Sequence, residues 1–409
     1  MDKLTKKNSL TDYLIYILVI LMLAFKDYSR EYLIITICSF FWIILGKMKK
    51  FNIVNEKKNT RFIINKLIFV AYCLILSCFK PYGQFSRTVI FGMCLKIINS
   101  ITLLFYIDSQ DRVDKISKVI VLSSVILCIR LIINVPISAF GHERIGIYLS
   151  HNPENSYGYT GITYVLGFAI VMMLTKNDII KKSWLKWGLI VVFFIFSILS
   201  GSKKQIFLLL ITMMVMVFYN TKDLGKLMKK ILIASVVLLT MFIAIFSNNY
   251  LYNAIGIRLI GMKNYFLSED IKTADDSTVG RANFSSEAKR VFNENIIDGV
   301  GLGNFMYYNK YSLCWAENTY LELLADTGII GFFIYYYIYL SILIDLYRRK
   351  KDKSNNNLVI IAMALCYFFV DYTMVTYSVV TLQFYFTYFY CINKVENNRI
   401  SSNKEVKNV

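Results

Sequence analysis

The chain has 409 residues, of which 56% are hydrophobic and only 3 are proline, with a mean hydropathy of +0.50 and a formal net charge of +19. Composition this apolar excludes an ordinary soluble domain, and repeated apolar runs close to bilayer-spanning length mark a polytopic membrane protein. The charge does not point to nucleic acid as a partner, because most Lys and Arg residues sit in short loops beside the runs, where they orient spans, rather than on one face of a domain.

Taken in chain order, the apolar runs predict spans at 10–25, 32–46, 62–79, 88–107, 116–134, 160–175, 184–200, 205–220, 230–247, 327–346, 357–373 and 375–392. The expected class is all-α: an integral membrane protein with about 12 transmembrane helices and one large extracytoplasmic loop between spans 9 and 10. The expected division is 1–246 for the first nine spans, 247–326 for the loop with short helices, 327–392 for the last three spans and 393–409 for a cytoplasmic tail. The first run lacks a small-residue cleavage site and reads as a retained span. Seven cysteines lie in or at the edge of apolar runs and only Cys314 lies in the loop; without CxxC spacing, neither a disulfide framework nor zinc is implied.

Orientation follows from the basic residues. Lys3, Lys6 and Lys7, then Lys47 to Arg61, Arg112 and Lys115, Lys176 to Lys182, Lys222 to Lys230 and Arg348 to Lys353 all fall on one side if the span count is right. That side is predicted to be cytoplasmic, with both termini there. A few cations break the bias. Lys203 and Lys204 occupy the short outside turn SGSKKQ, Arg144 lies in the outer loop SAFGHERIGIYLSHNPENSYGY, and Lys96 and Arg130 lie within spans nearer their outer ends. A charge at the bilayer centre costs about 2.5–3.5 kcal/mol and usually faces the bundle interior; for Lys96 and Arg130 snorkelling to the headgroups is the alternative.

The polar interval from Ser277 to Gly328 carries most of the remaining chemistry. Phe284, Ala288, Val291 and Phe292 predict an amphipathic helix over 283–295, with Ser277 or Thr278 as its cap. Arg281 is then expected at or just before the first turn, where free N–H groups favour an anion and a guanidinium can grip phosphate bidentately; the alternative is an ion pair with Asp275 or Asp276. DGVGLGNF (298–305) has the glycine density of a nucleotide fingerprint, but no strand precedes it, so its glycines read as a tight turn and a close backbone approach. In AENTYLELLADTGIIG, Glu317, Tyr320, Leu321 and Leu324 share one helical face, which directs Glu317 toward the bundle as a buried partner of a cation or as a general base. Glu322 and Asp326 are expected on a more exposed face. Phe305, Tyr307, Tyr308, Tyr311 and Trp315 are suited to stacking on sugars or to anchoring at the membrane interface. His142 and His151 share the other outer loop without a Cys/Asp cluster, so no metal site is expected.

SGSKKQ after an apolar run, then STVGRANF, IIDGVGLGNF and ENTYLELLADTGIIG opening a span, resemble the O-antigen ligase and O-antigen polymerase family over roughly 195–335, with a weaker upstream match at RIGIYLSHNPENSYGY. The resemblance implies transfer of a glycan from undecaprenyl pyrophosphate to an acceptor sugar at the outer face of the cytoplasmic membrane, without a metal or other cofactor. Lys203 stands where the family usually has Arg, a cation without the bidentate fork. Arg281 matches the loop arginine thought to hold the pyrophosphate with it, and Arg144 matches the upstream one. Glu317 replaces a His that often precedes the Asn of the family's HN-x-Y-L pattern, here Asn318 and Tyr320. As a base, Glu317 would need its proton affinity raised by burial. Lys204 and Arg130 complete the expected charge around the leaving group. The partners so implied are an undecaprenyl-pyrophosphate-linked oligosaccharide, the lipid bilayer, a chain-length regulator and a flippase. The leading expectation is a polymerase of lipid-linked repeat units in capsule, O-antigen or related polysaccharide synthesis. A Lys-, Asn- and Ile-rich composition suggests an AT-rich source lacking a lipopolysaccharide core, which favours polymerase over ligase. A flippase is the runner-up class, although no clear internal repeat is visible.

Overall fold

Each of the twelve apolar runs is helical over most of its length among the described residues. The computed structural model describes residues 9–25, 29–48, 57–139, 145–149, 161–176, 178–219, 221, 223–267, 276–349 and 354–407, and among these there is no strand. The first nine helices are α1 (Leu10–Ala24), α2 (Ser29–Met48), α3 (Lys57–Phe79), α4 (Gly83–Tyr106), α5 (Gln110–Asn134), α6 (Gly161–Thr175), α7 (Ser183–Leu199), α8 (Lys204–Phe218) and α9 (Leu224–Ser247). The polar interval holds α10 (Asn249–Leu251), α11 (Ile257–Leu267), α12 (Asp276–Glu294) and α13 (Phe305–Tyr308), and α14 (Thr319–Arg348), α15 (Asn355–Thr373) and α16 (Val380–Lys407) close the chain.

Six of these helices are long and apolar enough to cross a membrane: Lys58–Phe79, Gly83–Tyr106, Gln110–Asn134, Leu224–Ser247, Thr319–Arg348 and Asn356–Thr373. The protein is thus a helical membrane protein. α1, α6 and α8, with 15 residues each, rise only about 22 Å at 1.5 Å per residue, short of the roughly 30 Å hydrocarbon core. Two boundaries differ from expectation. α14 begins at Thr319, eight residues before 327, because the Asn318 side chain caps it by accepting from the amides of Tyr320 and Leu321. α16 begins at Val380 rather than 375, because the intervening turn is tied down: Thr319 donates to the Met374 carbonyl at 2.6 Å and accepts from the Thr376 amide at 2.9 Å. The expected tail is helical as far as Lys407.

The bundle has two chemically distinct ends. At one end, lysines and arginines meet acids and carbonyls: Lys58 with Asp345 at 2.7 Å, Lys115 with Asp12 at 3.2 Å, Lys176 with Asp114, and Arg349 with Asn393. At the other end, the polar interval packs over the α3–α4, α7–α8 and α15–α16 turns. Between them lies an aromatic core in which Tyr335, Tyr367, Tyr385, Phe386 and Tyr388 are fully buried.

The interval is joined to the spans by a backbone crossing. At Gly328 α14 kinks, with φ 62 and ψ −169, a combination open essentially to glycine alone. The 296–303 segment lies across this kink. Val300 donates to Ala325 O at 3.0 Å, Gly301 to Asp326 O at 2.7 Å and Ile329 to Ile296 O at 2.9 Å. The expected close approach in DGVGLGNF is therefore present, and its target is the start of α14. A Cβ on Gly328 would lie 2.2 Å from the Ile297 carbonyl oxygen, and one on Gly299 would lie 2.4 Å from Asp326 C. Gly328→Ala is accordingly expected to cost about 1–3 kcal/mol, seen as a lower unfolding temperature in detergent. Gly92→Ala, where nothing lies within 4 Å of the new methyl, should be neutral or stabilise by up to about 1 kcal/mol. Equal responses of the two variants would show that the crossing imposes no glycine requirement.

Candidate functional site

The candidate site is assembled around the turn between α7 and α8. Its backbone is fixed by hydroxyls: Ser200 donates to Ser197 O at 2.6 Å and shares a 2.9 Å hydrogen bond with Thr163. Gly201 has φ +77, and the Arg258 guanidinium from α11 lies against it, with a Cβ there falling 3.0 Å from Nη1. Arg258 Nη1 donates to the Gly201 carbonyl. After Ser202 comes the lysine pair. Lys203 Nζ donates to Thr278 Oγ1 at 3.3 Å, bridging the turn to α12. Lys204 is buried, and its Nζ donates to Tyr164 Oη at 2.9 Å and to Thr373 O at 2.7 Å.

From α12, one turn beyond Thr278, Arg281 Nε donates to Glu317 Oε2 at 2.5 Å. The charges of both Arg281 and Glu317 act on Lys204. The structure thus brings together Lys203, Lys204, Arg281 and Glu317, which are separated by up to 114 positions in sequence. It adds Arg258, which the sequence reading overlooked. The available signal was an arginine inside a short apolar pattern, Ile257, Leu259 and Ile260, within an otherwise polar interval. Among the described residues no group of three or more His, Cys, Asp or Glu side chains comes together to hold a metal.

Several expectations about individual residues need correction. Glu317 does not point into the bundle. It lies outside α14, its side chain is 46% exposed and that of Arg281 is 38% exposed. The cause is local: Glu317 has φ +51, the Asn318 cap turns the chain into the helix after it, and the buried Glu322 accepts from the Ala316 amide at 2.5 Å just before it. Glu322 and Asp326, expected to be the more exposed acids, are fully buried. Asp326 accepts from the amides of Gly303 at 2.6 Å and Phe305 at 2.8 Å and from Tyr377 Oη at 3.2 Å, which offsets the cost of burying the carboxylate. The helix carrying Arg281 begins at Asp276 rather than 283, so Arg281 lies in its second turn and not at its N-terminus.

The remaining expected site residues have structural partners or lie elsewhere. Tyr320 donates to Phe368 O at 3.1 Å and stacks on Tyr336 with centroids 5.2 Å apart, within the bundle. Asn318 serves as the α14 cap. Arg130 donates to the carbonyls of Ala24 and Leu149 and lies 4.4 Å from the Phe25 ring centroid, partners that are not part of the cluster. Arg144, His142 and His151 lie outside the described residues. Burial pushes the Cys314 thiol up from its ordinary value, which disfavours the thiolate form a nucleophile needs.

α12 is held in place by a clamp. Ala288 and Val291, two of the residues that predicted the helix, are fully buried against Val300, Phe305 and Ala316. Arg290 bonds Glu287 at 2.9 Å, Glu294 at 2.8 Å and the Tyr308 carbonyl at 3.0 Å. No protein-family model and no curated protein matches the chain.

The hydrogen bond from Arg290 holds the Glu287 carboxyl below its ordinary value. A carboxylate depressed in the folded state contributes stability above its unfolded pKa, and this is lost as pH falls through the lower folded value. Protection of 276–294 against hydrogen exchange should therefore be flat from pH 7 to about 5 and should weaken only below about pH 4, the ordinary glutamate range. Arg290→Ala should move that loss to higher pH. An unchanged acid limb would mean that the clamp does not hold α12.

Proposed function

We propose that the protein is a membrane glycosyltransferase that polymerises lipid-linked glycan units. It takes a glycan from a polyprenyl pyrophosphate and adds it to the acceptor sugar of another lipid-linked unit, at the outer face of the cytoplasmic membrane. The observation that carries this reading is the convergence of Lys203, Lys204, Arg258 and Arg281 on one turn, with a carboxylate, Glu317, on Arg281. A leaving pyrophosphate gains negative charge in the transition state, and cations fixed around it stabilise that charge.

The chemistry distributes over these groups as follows. The pyrophosphate takes the place of Glu317 as the partner of Arg281. The acceptor hydroxyl oxygen attacks the anomeric carbon of the donor glycan, the bond from that carbon to the phosphate oxygen breaks, and its electron pair leaves on the pyrophosphate. As the attacking oxygen bonds to the anomeric carbon its O–H becomes strongly acidic, so its proton passes to the released Glu317 carboxylate late in the step, without that carboxylate being buried, and from there to water. Lys204, tied to Tyr164 and Thr373, holds the start of α8 in place behind the site, whereas Lys203 and Arg281 meet the phosphate by exchanging their present partners.

A groove of about 770 Å³ between α6, α7, α8 and α9 supports the lipid half of the substrate. Of its lining side chains only Lys230 and Thr240 carry a charge or a hydroxyl, and Lys230 is at the end far from the cluster. Near the cluster the groove is closed by Ile198 and Ile245, which pack with Ile255 close to Arg258. An isoprenoid chain fits such a lining.

The test is purified protein in lipid nanodiscs with the source cell's lipid-linked repeat unit, reading product length. Arg281→Ala, Lys203→Ala and Arg258→Ala should each lower turnover by about 100-fold or more, while in cells single lipid-linked units still reach the outer leaflet. Units retained on the cytoplasmic face would favour a flippase, and transfer only to a non-lipid acceptor would favour a ligase. Glu317→Gln should lower turnover by about 100-fold, whereas unchanged turnover would leave Glu317 as a clasp for Arg281. Glu317→His should restore activity that rises as pH passes about 6.5, where imidazole becomes neutral.

A further inference from the structure

Among the described residues only two non-glycine positions have positive φ, Glu317 at 51 and Tyr82 at 58. The first belongs to the site above, whereas the second has no part in it. Tyr82 ends the turn between α3 and α4, and a left-handed tyrosine there costs on the order of 1 kcal/mol or more. Backbone geometry alone would favour glycine or asparagine. The strained conformation presents a ring that is 52% exposed and stacked on Tyr307, with centroids 4.3 Å apart and planes at 13°. Tyr307 is itself 37% exposed. Behind the pair, Phe85 meets Tyr307 edge-on at 5.2 Å and Tyr308 meets Tyr82 edge-on at 6.3 Å.

This stack is not needed to dock the turn. Asn304 already donates to Pro81 O at 2.9 Å, and Lys80 pairs with Asp298 at 2.7 Å. The stack is continuous with Glu317: Phe85 and Trp315 both pack on Gly303, at 3.4 and 3.3 Å from where its Cβ would be, and Trp315 lies two residues before Glu317. A rigid aromatic surface with an ion pair at its edge has the two elements that saccharides need: a flat face for the C–H side of a pyranose and polar partners for its hydroxyls.

We infer that Tyr82 and Tyr307 form a stacking platform for the acceptor glycan, holding the sugar chain on the Trp315 side of Glu317 while the Lys203–Arg281 side holds the pyrophosphate. The ligand is a pyranose oligosaccharide, contacted through ring faces and through the Lys80–Asp298 pair. The assignment to the acceptor rests on the polymerase reading; the glycan contact itself does not.

The test is therefore a binding measurement made without turnover. Protein in lipid nanodiscs is titrated with oligosaccharides cut from the source cell's own surface polysaccharide, and binding is followed by tryptophan fluorescence. Tyr82→Leu and Tyr307→Leu keep an apolar side chain for contact with lipid but remove the flat ring. Each should weaken binding about tenfold, while Tyr82→Phe stays within about twofold of wild type. Leu variants that bind as wild type does, or a wild-type protein that binds none of the fragments, would overturn the platform and leave the rings as membrane anchors. Hydroxyl-radical footprinting of the wild-type protein gives the same answer without substitution: the fragments should protect Tyr82 and Tyr307 but not Tyr347 at the opposite end. Fragment binding without polymerisation would remove the polymerase reading and keep the platform. Polymerisation with unchanged affinity in the Leu variants would do the reverse.

Discussion

The site depends on the contact in which two stretches of main chain lie directly on each other, the 296–303 segment against α14 at Gly328. Loops over a membrane bundle ordinarily attach through side chains, which adjust. Here the amides and carbonyls of the two segments bond each other, and Asp326 secures the arrangement by accepting from Gly303, Phe305 and Tyr377 at once. Because the contact is backbone to backbone, it fixes position along the chain as well as direction. It therefore sets where 304–318 emerges, and with it both Tyr307 and Glu317. What such a contact requires is close spacing, and a Cβ at Gly299 or Gly328 would strain it.

Around that anchor the charges divide by role. Asp326 and Glu322 are buried and engaged by amides, so they build the scaffold. Glu317 and Arg281 remain partly exposed and hold each other across two separate elements, so their pairing is exchangeable. A surface ion pair of this kind is worth little in stability, about 0–1 kcal/mol, which makes it cheap to break in favour of a stronger anion. Lys204 is the opposite case. Its ammonium is buried at the start of α8 and bound to a hydroxyl and a carbonyl, a place where the polar end of a helix meets the interior.

The apolar architecture is legible in sequence because every apolar run repeats the same simple signal, and each of the twelve runs is helical over most of its length among the described residues. The sequence also singles out Lys203 and Lys204 as cations that break the predicted charge bias, Glu317 as a carboxylate at a predicted span entrance and Arg281 at an expected helix start, and the structure places these four near one another. Directions were harder to read. Helical periodicity assigned Glu317 to the bundle and Glu322 with Asp326 to the surface, and both assignments were reversed. The reason is that periodicity presumes the helix has already begun, whereas Asn318 caps it one residue after Glu317. Burial of the two acids depends on donors from 300–305 and from Tyr377, partners that no local pattern contains. Arg258 was missed for a related reason, since its importance lies in a carbonyl at Gly201, 57 positions away.

α9 stands apart from the other spans: of its 24 residues only Ile245 is buried. Its outer surface is therefore left to the bilayer, and the groove between it and α6, α7 and α8 lies beside lipid. For a substrate tethered to a lipid, arrival is then a search in a plane. For the lipid-tethered substrate proposed above, the quantity that governs supply is the number of tethered molecules per unit area of membrane, so diluting the membrane with inert lipid would slow the proposed reaction even while the amount of substrate in the sample stayed constant.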